Sequence, residues 1–239
     1  GSGKSGQEIS PTITNCHFEG NYGDYGSIYI RVPNGKSFAT ISHCTFKNNH
    51  SIYGAIFNDG QGGEVSPNIV NCAFDGNTSV TSGAAIFNYG YGGKSSPTIT
   101  SCVFNNNVAN AQGGAIYNNG YAGVSSPVIF NSTFHSNRAN ASAGAMYSFG
   151  NAGTCQPKVT NSIFYKNTKG TDDDFKFSEF YNYAAYPYIK NSSLQRASST
   201  YSAGTANHLN GGPNNIFQTN PNFEAIADGN GADDVWRTG

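Results

Sequence analysis

The sequence predicts an all-β fold, a right-handed parallel β-helix with about 28 to 30 residues and three short strands per coil and roughly eight coils. The first observation is a phenylalanine that recurs at spacings of 28, 28, 30, 30 and 30 residues and is followed three residues later by asparagine. The second is composition, because the units are rich in Gly, Asn, Ser, Thr, Phe and Tyr, which favour strands and tight turns over helices. The repeated residues are Phe18, Phe46, Phe74, Phe104, Phe134 and Phe164, with Asn21, Asn49, Asn77, Asn107, Asn137 and Asn167.

Each unit contains three short apolar segments, which in the fourth unit are 114–118, 127–130 and 132–134. Side chains alternate along a strand, so Ile129 and Phe134 can both point inward only if the chain bends between them. Asn tolerates the left-handed conformation that such a tight corner requires. The residues predicted at this corner are Asn15, His43, Asn71, Ser101, Asn131, Asn161 and Asn191.

Stacking of equivalent positions predicts columns of side chains inside the solenoid. The repeated asparagines are expected to bond to the backbone or to one another in a ladder. Four of the five cysteines share one column. Neighbouring members would come close enough to form a disulfide, and the alternative is that they remain reduced thiols. Leu194 is expected in the phenylalanine position. The other predicted core columns are Ile13, Ile41, Ile69, Ile99, Ile129 and Val159; Cys16, Cys44, Cys72 and Cys102 continued by Ser132 and Ser162; and Ile28, Ile56, Ile86, Ile116 and Met146.

One elongated domain is expected, since a repeat array grows by adding units. We expect residues 1–7 to be a tag or linker, residues 8–170 to form regular coils, and residues 171–239 to form irregular C-terminal coils and a capping segment of the same domain. The 13 Lys and Arg residues nearly balance the 14 Asp and Glu residues, which argues against nucleic acid or an anionic membrane as a partner. No apolar run is long enough to span a bilayer, and a monomer is expected.

Two short motifs alternate along the chain, as in Phe74-Asp-Gly-Asn77 and Gly113-Gly-Ala-Ile116. Over about residues 8 to 170 they resemble the repeats of bacterial polymorphic outer-membrane proteins, and more broadly the parallel β-helix repeat domains of bacterial secreted and cell-surface proteins. The resemblance implies a non-catalytic adhesin or display module. It also implies an extracellular or cell-surface location, with the signal and anchoring segments outside this stretch of chain.

The residue after the inward-pointing isoleucine is aromatic in five coils and is expected to point outward. Stacked rings of this kind would form a flat platform for the apolar faces of sugar rings, so a glycan or another surface ligand is the expected partner. The alternative is that a loop covers these rings or that they belong to the core. The predicted ligand-binding residues are Tyr29, Phe57, Phe87, Tyr117 and Tyr147 on the strands and Tyr91 and Tyr121 in a neighbouring loop.

A Gly-rich loop near the C-terminus carries several side-chain oxygen atoms, at Asp228, Asn230, Asp233 and Asp234. Oxygen ligands of this type suit Ca²⁺. Their spacing differs from that of an EF-hand loop, so an ordinary turn is the alternative. Calcium is the one cofactor that the sequence suggests.

A carbohydrate-active enzyme of the same fold, either a polysaccharide lyase or a glycoside hydrolase, is the alternative function. Such an enzyme needs acidic and basic side chains clustered on an outer sheet face. The charged residues of this chain do not align between coils. Loss of activity on acidic polysaccharides when Asp174 or Lys176 is replaced would favour the enzyme.

Overall fold

The computed structural model describes residues 6–170, 179–195, 210, 211 and 215–218. In this part of the chain all regular structure is β-strand, and each strand pairs in parallel with its equivalents in neighbouring coils. The predicted parallel β-solenoid is therefore confirmed. Among the described residues about six coils are complete, fewer than the eight predicted, because two of the four long sheets contain eight strands and the other two contain six.

Sheets 1 and 2 contain eight strands each, and a single tight corner joins them in the seven coils from the one at Asn15 to the one at Asn191. Equivalent residues of neighbouring coils are paired, as Phe74 is with Phe104. Sheet 1 consists of β1 (Thr12–Thr14), β6 (Thr40–Ser42), β11 (Asn68–Val70), β15 (Thr98–Thr100), β19 (Val128–Phe130), β23 (Lys158–Thr160), β27 (Tyr188–Lys190) and β29 (Asn210–Gly211). Sheet 2 consists of β2 (His17–Glu19), β7 (Thr45–Lys47), β12 (Ala73–Asp75), β16 (Val103–Asn105), β20 (Thr133–His135), β24 (Ile163–Tyr165), β28 (Ser193–Gln195) and β30 (Ile216–Gln218).

Sheets 3 and 4 contain six strands each. Sheet 3 consists of β3 (Tyr22–Gly23), β8 (His50–Ser51), β13 (Thr78–Ser79), β17 (Val108–Ala109), β21 (Arg138–Ala139) and β25 (Thr168–Lys169). Sheet 4 consists of β4 (Ile28–Arg31), β9 (Ile56–Asp59), β14 (Ile86–Tyr89), β18 (Ile116–Asn119), β22 (Met146–Phe149) and β26 (Phe180–Tyr183). After sheet 4, β5 (Lys36–Ser37) pairs with β10 (Glu64–Val65), and single bridges extend this pairing through Lys94, Val124 and Thr154.

Sheet 3 adds a fourth strand to the three predicted in each coil. It begins directly after the repeated asparagine, where the N–H of Val108 donates to the carbonyl oxygen of Asn77 at 2.9 Å. A two-residue strand is too short to show an alternating pattern of apolar and polar side chains. Sequence periodicity therefore carries no signal for it.

The corner between sheets 1 and 2 has the predicted left-handed backbone. All seven predicted corner residues have φ between 49° and 54°, a region that Asn enters at lower cost than most residues. A second left-handed corner, which the sequence analysis did not predict, follows sheet 2. It is formed by Gly20, Asn48, Gly76, Asn106, Ser136 and Lys166, with φ between 51° and 63°.

The interior contains the predicted columns. Consecutive phenylalanine rings from Phe18 to Phe164 stack with centroids 4.5 to 4.9 Å apart and planes within 9° of parallel. Leu194 pairs with Phe164 and takes the phenylalanine position. Although the sequence between 171 and 181 lacks the Gly-Gly-Ala-Ile motif, β26 continues sheet 4, and Phe180 pairs with Met146 at the isoleucine position.

The cysteine column is buried except at its first member. Cys44, Cys72 and Cys102 are buried, whereas Cys16 is exposed because it belongs to the first coil, which a neighbouring coil covers on one side. Burial raises the pKa of the Cys44 and Cys102 thiols. All five cysteines are free thiols in the structure.

Candidate functional site

The candidate site is built on the outer face of sheet 4, where each four-residue strand presents two side chains outward. In β14, Ile86 and Asn88 point into the solenoid and Phe87 and Tyr89 point out, as the alternation of a strand requires. The outward aromatic residues form two sets. The strand row consists of Tyr29, Phe57, Phe87, Tyr117, Tyr147 and Tyr181. The outer row consists of Tyr89, Tyr91, Tyr121, Phe149 and Tyr183.

The strand row is largely a packed layer. Phe57, Phe87 and Tyr147 expose only 5 to 6% of their surface, while Tyr29 and Tyr117 are half-buried. Adjacent ring centroids along the row are 4.8 to 5.3 Å apart. Most of the five rings are therefore covered, which was the alternative in the sequence analysis, and they do not form a flat, open platform.

The cover comes from the segment between sheets 3 and 4, where the ring of Tyr53 lies 4.8 Å from that of Phe57 and 5.2 Å from that of Phe87. A Cβ atom placed on Gly83 would lie 2.9 Å from Cβ of Tyr117, and Gly83 has φ of +62°. Only glycine permits both this backbone conformation and this close approach. The segment also accounts for the change of period from 28 to 30, because Ile56 follows Ser51 by five residues whereas Ile86 follows Ser79 by seven.

Burial changes the acidity of the covered phenols. It raises the pKa of Tyr147 to about 12 and that of Tyr117 well above the ordinary value, since desolvation disfavours the phenolate. These side chains therefore stay protonated to higher pH than an exposed tyrosine does. They stabilise the coil by packing and offer little surface to a ligand.

The outer row is the accessible part of the face. Its consecutive ring centroids are 5.3 to 6.0 Å apart, with planes within 19° of parallel. Tyr91 exposes 38% and Tyr183 44% of their surface, and the other three rings are half-buried. The row thus extends as one continuous stack from β14 past β18 and β22 to β26.

The loops after the sheet 4 strands fix the position of this row. The N–H of Tyr121 donates to Oδ1 of Asn119 at 2.9 Å, and the N–H of Gln61 donates to Oδ1 of Asp59 at 3.1 Å in the equivalent turn. Side-chain acceptors of this kind hold a turn in one conformation. Tyr121 is therefore presented by an ordered turn. The equivalent turn at Tyr91 is closed instead by a backbone hydrogen bond of 3.0 Å from the N–H of Gly93 to the carbonyl oxygen of Gly90.

The row gives way to a polar cluster at Asp59, the residue that takes the place of Tyr89 in β9. Asp59 is 5% exposed, and its Oδ2 accepts a hydrogen bond of 2.9 Å from the hydroxyl of Tyr29 and lies 3.4 Å from Nε of Arg31. Burial and the hydrogen bond to Asp59 raise the pKa of Tyr29 to about 12. Burial, together with the charge of Asp59, also raises the pKa of Tyr89. An ion pair with a buried carboxylate and a partly exposed guanidinium thus lies next to the aromatic surface.

The structure separates the predicted ligand-binding residues into two groups. Tyr91 and Tyr121 are adjacent in the outer row, with centroids 5.5 Å apart, whereas the five strand residues belong to the strand row. The sequence analysis missed Phe149 and Tyr183. The strand register could have identified Phe149, because Phe149 pairs with Asn119, which in turn pairs with Tyr89.

The candidate calcium residues Asp228, Asn230, Asp233 and Asp234 lie outside the described residues, as do Asp174 and Lys176. Within the described ranges, no group of three His, Cys, Asp or Glu side chains is placed to hold a metal ion. Ion pairs in this part of the chain include Arg31 with Asp59 and Lys94 with Glu64, and a ring nitrogen of His17 lies 2.8 Å from a carboxylate oxygen of Glu19.

Residues 101–119 match the model of the Chlamydia polymorphic membrane protein (Chlamydia_PMP) repeat. The matched segment contains β16, β17 and β18 and carries both sequence motifs. Together with the solenoid, the match makes this chain a β-helix repeat domain similar to those repeats, and the repeat family implies a module of a bacterial surface or outer-membrane protein. No curated protein and no solved structure matches the chain significantly. Among the described residues, no helix has the length and apolar character that crossing a bilayer requires.

Proposed function

We propose that this chain is a non-catalytic adhesion and display module of a bacterial surface protein, and that it binds a glycan along the outer row. The observation that carries the proposal is the partly exposed stack of Tyr89, Tyr91, Tyr121, Phe149 and Tyr183, which crosses four consecutive strands of one sheet face. Exposed aromatic groups on a rigid face are typical of binding surfaces.

The stacking defines how the row would contact a sugar. Each ring covers a face of its neighbour, so the row presents ring edges and phenolic hydroxyl groups to solvent. Phenolic hydroxyls both donate and accept hydrogen bonds, as sugar hydroxyls do. The proposed contact is therefore a glycan whose hydroxyl groups bond along the row and whose apolar edges pack against the rings.

Rigidity supports the same function. Sheet 4 pairs residue by residue between coils, and the turns that carry Tyr91 and Tyr121 are hydrogen-bonded or stacked on their neighbours. A surface already in its bound conformation loses little side-chain entropy on binding. Presentation of the outer row on a rigid solenoid would thus increase its affinity for the glycan.

A glycan array, followed by calorimetry on the best ligand, tests the proposal. The Tyr91→Ala/Tyr121→Ala double variant is expected to bind at least about tenfold more weakly than the wild type, the loss typical of central aromatic contacts. Tyr22→Ala is the matched control, because Tyr22 is an exposed tyrosine on sheet 3, and it should bind like the wild type. Failure of the wild type to bind any glycan, or equal binding by the double variant, would overturn the proposal.

A further inference from the structure

A second surface lies on the outer face of sheet 1, away from the two aromatic rows of sheet 4. In β19, Val128 exposes 42% and Phe130 37% of their surface, and in β27 Tyr188 exposes 38%. Lys158 of β23 is exposed, and Lys190 of β27 is half-buried. These five residues are called the sheet 1 patch. Large apolar side chains grouped on a monomer's surface and rimmed by polar ones mark interaction sites.

Strand register places these side chains in two parallel columns. Val128, Lys158 and Tyr188 follow one another in the first column. Phe130 and Lys190 lie in the second, with Thr160 between them. Because neighbouring strands are about 4.8 Å apart, Phe130 and Tyr188 are separated by about 10 Å along the solenoid axis. The patch thus alternates apolar groups and cations on a flat surface.

The charge of this face has one sign. The outward positions of the described three-residue strands of sheet 1 hold Lys158 and Lys190 and no Asp or Glu. Within the described part of the chain, neither lysine is joined to a carboxylate in an ion pair. Two ammonium groups without neighbouring acids favour an anionic ligand.

The geometry also selects the kind of anionic ligand. Both edges of β19 and of β27 are occupied by neighbouring strands, so a peptide cannot add to the sheet through its backbone. Recognition must use side chains alone. In the described residues, Phe130 and Tyr188 are not stacked on another ring, unlike the members of the outer row, and so their faces can pack against the apolar face of a sugar.

We infer that the sheet 1 patch binds an acidic polysaccharide, with sugar rings packed on Phe130 and Tyr188 and carboxylates paired with Lys158 and Lys190. This site is independent of the proposed glycan contact on sheet 4. The two lie on different sheets, and only the ligand of the sheet 1 patch is required to be anionic.

Calorimetry with polygalacturonate tests the inference, and its methyl ester provides a neutral ligand of the same backbone. The wild type is expected to bind polygalacturonate at least about tenfold more tightly than the ester and to lose affinity as salt screens the charges. The Lys158→Gln/Lys190→Gln variant should lose that preference. Phe130→Ala should weaken binding several-fold.

Lys47→Gln is the matched control, because Lys47 is an exposed lysine on a strand of sheet 2, and it should bind like the wild type. Tyr91→Ala should also leave this binding unchanged, which separates the result from the test of sheet 4. Unfolding temperatures show that each variant is folded. Failure of the folded wild type to bind, equal affinity for the ester, equal loss in Lys47→Gln, or equally tight binding of polyglutamate would each overturn the inference.

Discussion

Asn77 and Asn107 are joined twice across neighbouring coils. The Nδ2 of Asn77 donates to Oδ1 of Asn107 at 2.9 Å, and the backbone N–H of Asn77 donates to the same oxygen at 3.1 Å. The Nδ2 of Asn77 also donates to the carbonyl oxygen of Phe46 at 2.8 Å. Asn49, Asn77, Asn107 and Asn137 each bond to the coil before and the coil after in this way, and the predicted ladder is a buried network.

Replacing one member of this ladder should destabilise several coils. Asn107→Ala leaves the N–H and amide of Asn77 without their acceptor and the carbonyl oxygen of Phe74 without its donor. Each unsatisfied buried group costs about 1 to 3 kcal/mol, so the free energy of unfolding should fall by about 3 kcal/mol or more. Chemical denaturation followed by circular dichroism measures the change.

Asn110→Ala is the matched control for this prediction. Asn110 accepts a hydrogen bond of 2.9 Å from Asn140 in the next coil, but both groups are exposed. Water replaces an exposed partner, so the loss should stay within about 0.5 kcal/mol. Equal destabilisation by the two variants would contradict the role given to burial.

The phenylalanine column should tolerate leucine but not alanine. Phe104 is fully buried between Phe74 and Phe134. Phe104→Ala leaves a cavity and should cost about 3 to 5 kcal/mol. Phe104→Leu should cost about 1.5 kcal/mol, because Leu194 already occupies the same position in a later coil.

The free energy of unfolding in urea distinguishes these outcomes. Phe130→Ala is the control, because it removes an exposed ring from sheet 1, and it should change this free energy by about 0.5 kcal/mol. If leucine were as damaging as alanine at position 104, ring stacking rather than volume would dominate the column.

Alkaline pH should lower the free energy of unfolding. Burial raises the pKa of the Cys155 thiol and of the Tyr147 phenol to about 12, whereas in the unfolded chain they titrate near about 9 and 10. The folded state therefore holds these protons while the unfolded state releases them. Stability is complete below about pH 9 and falls as the pH rises toward 12, by up to about 1.4 kcal/mol per pH unit for each group.

Unfolding measured between pH 8 and 11 checks this sign. Tyr147→Phe should have a shallower loss of stability with pH than the wild type, because it removes one of the protons that only the folded state retains at alkaline pH. A wild-type stability that rises over this interval, or identical slopes for the two proteins, would refute the assignment.

The sequence by itself determined the period, the direction of the core side chains and the corner between sheets 1 and 2. These features are local, since side-chain alternation forces a bend between Ile129 and Phe134, and the residue at that bend, Asn131, has φ of 51°. Because the sequence repeats, the same local conformation recurs from coil to coil. Strands of sheet 3 escaped prediction because two residues show no periodicity.

Only the tertiary structure decided which aromatic side chains are accessible. Phe87 and Tyr91 look alike in the sequence, but Phe87 is covered at 6% exposure and Tyr91 retains 38%. The difference depends on the ring of Tyr53, which lies 5.2 Å from that of Phe87, and on the register that places Phe149 and Tyr183 beside the loop tyrosines. The exposure of a side chain depends on how neighbouring coils pack against it and not only on its position in the repeat. Sequence periodicity therefore cannot predict it.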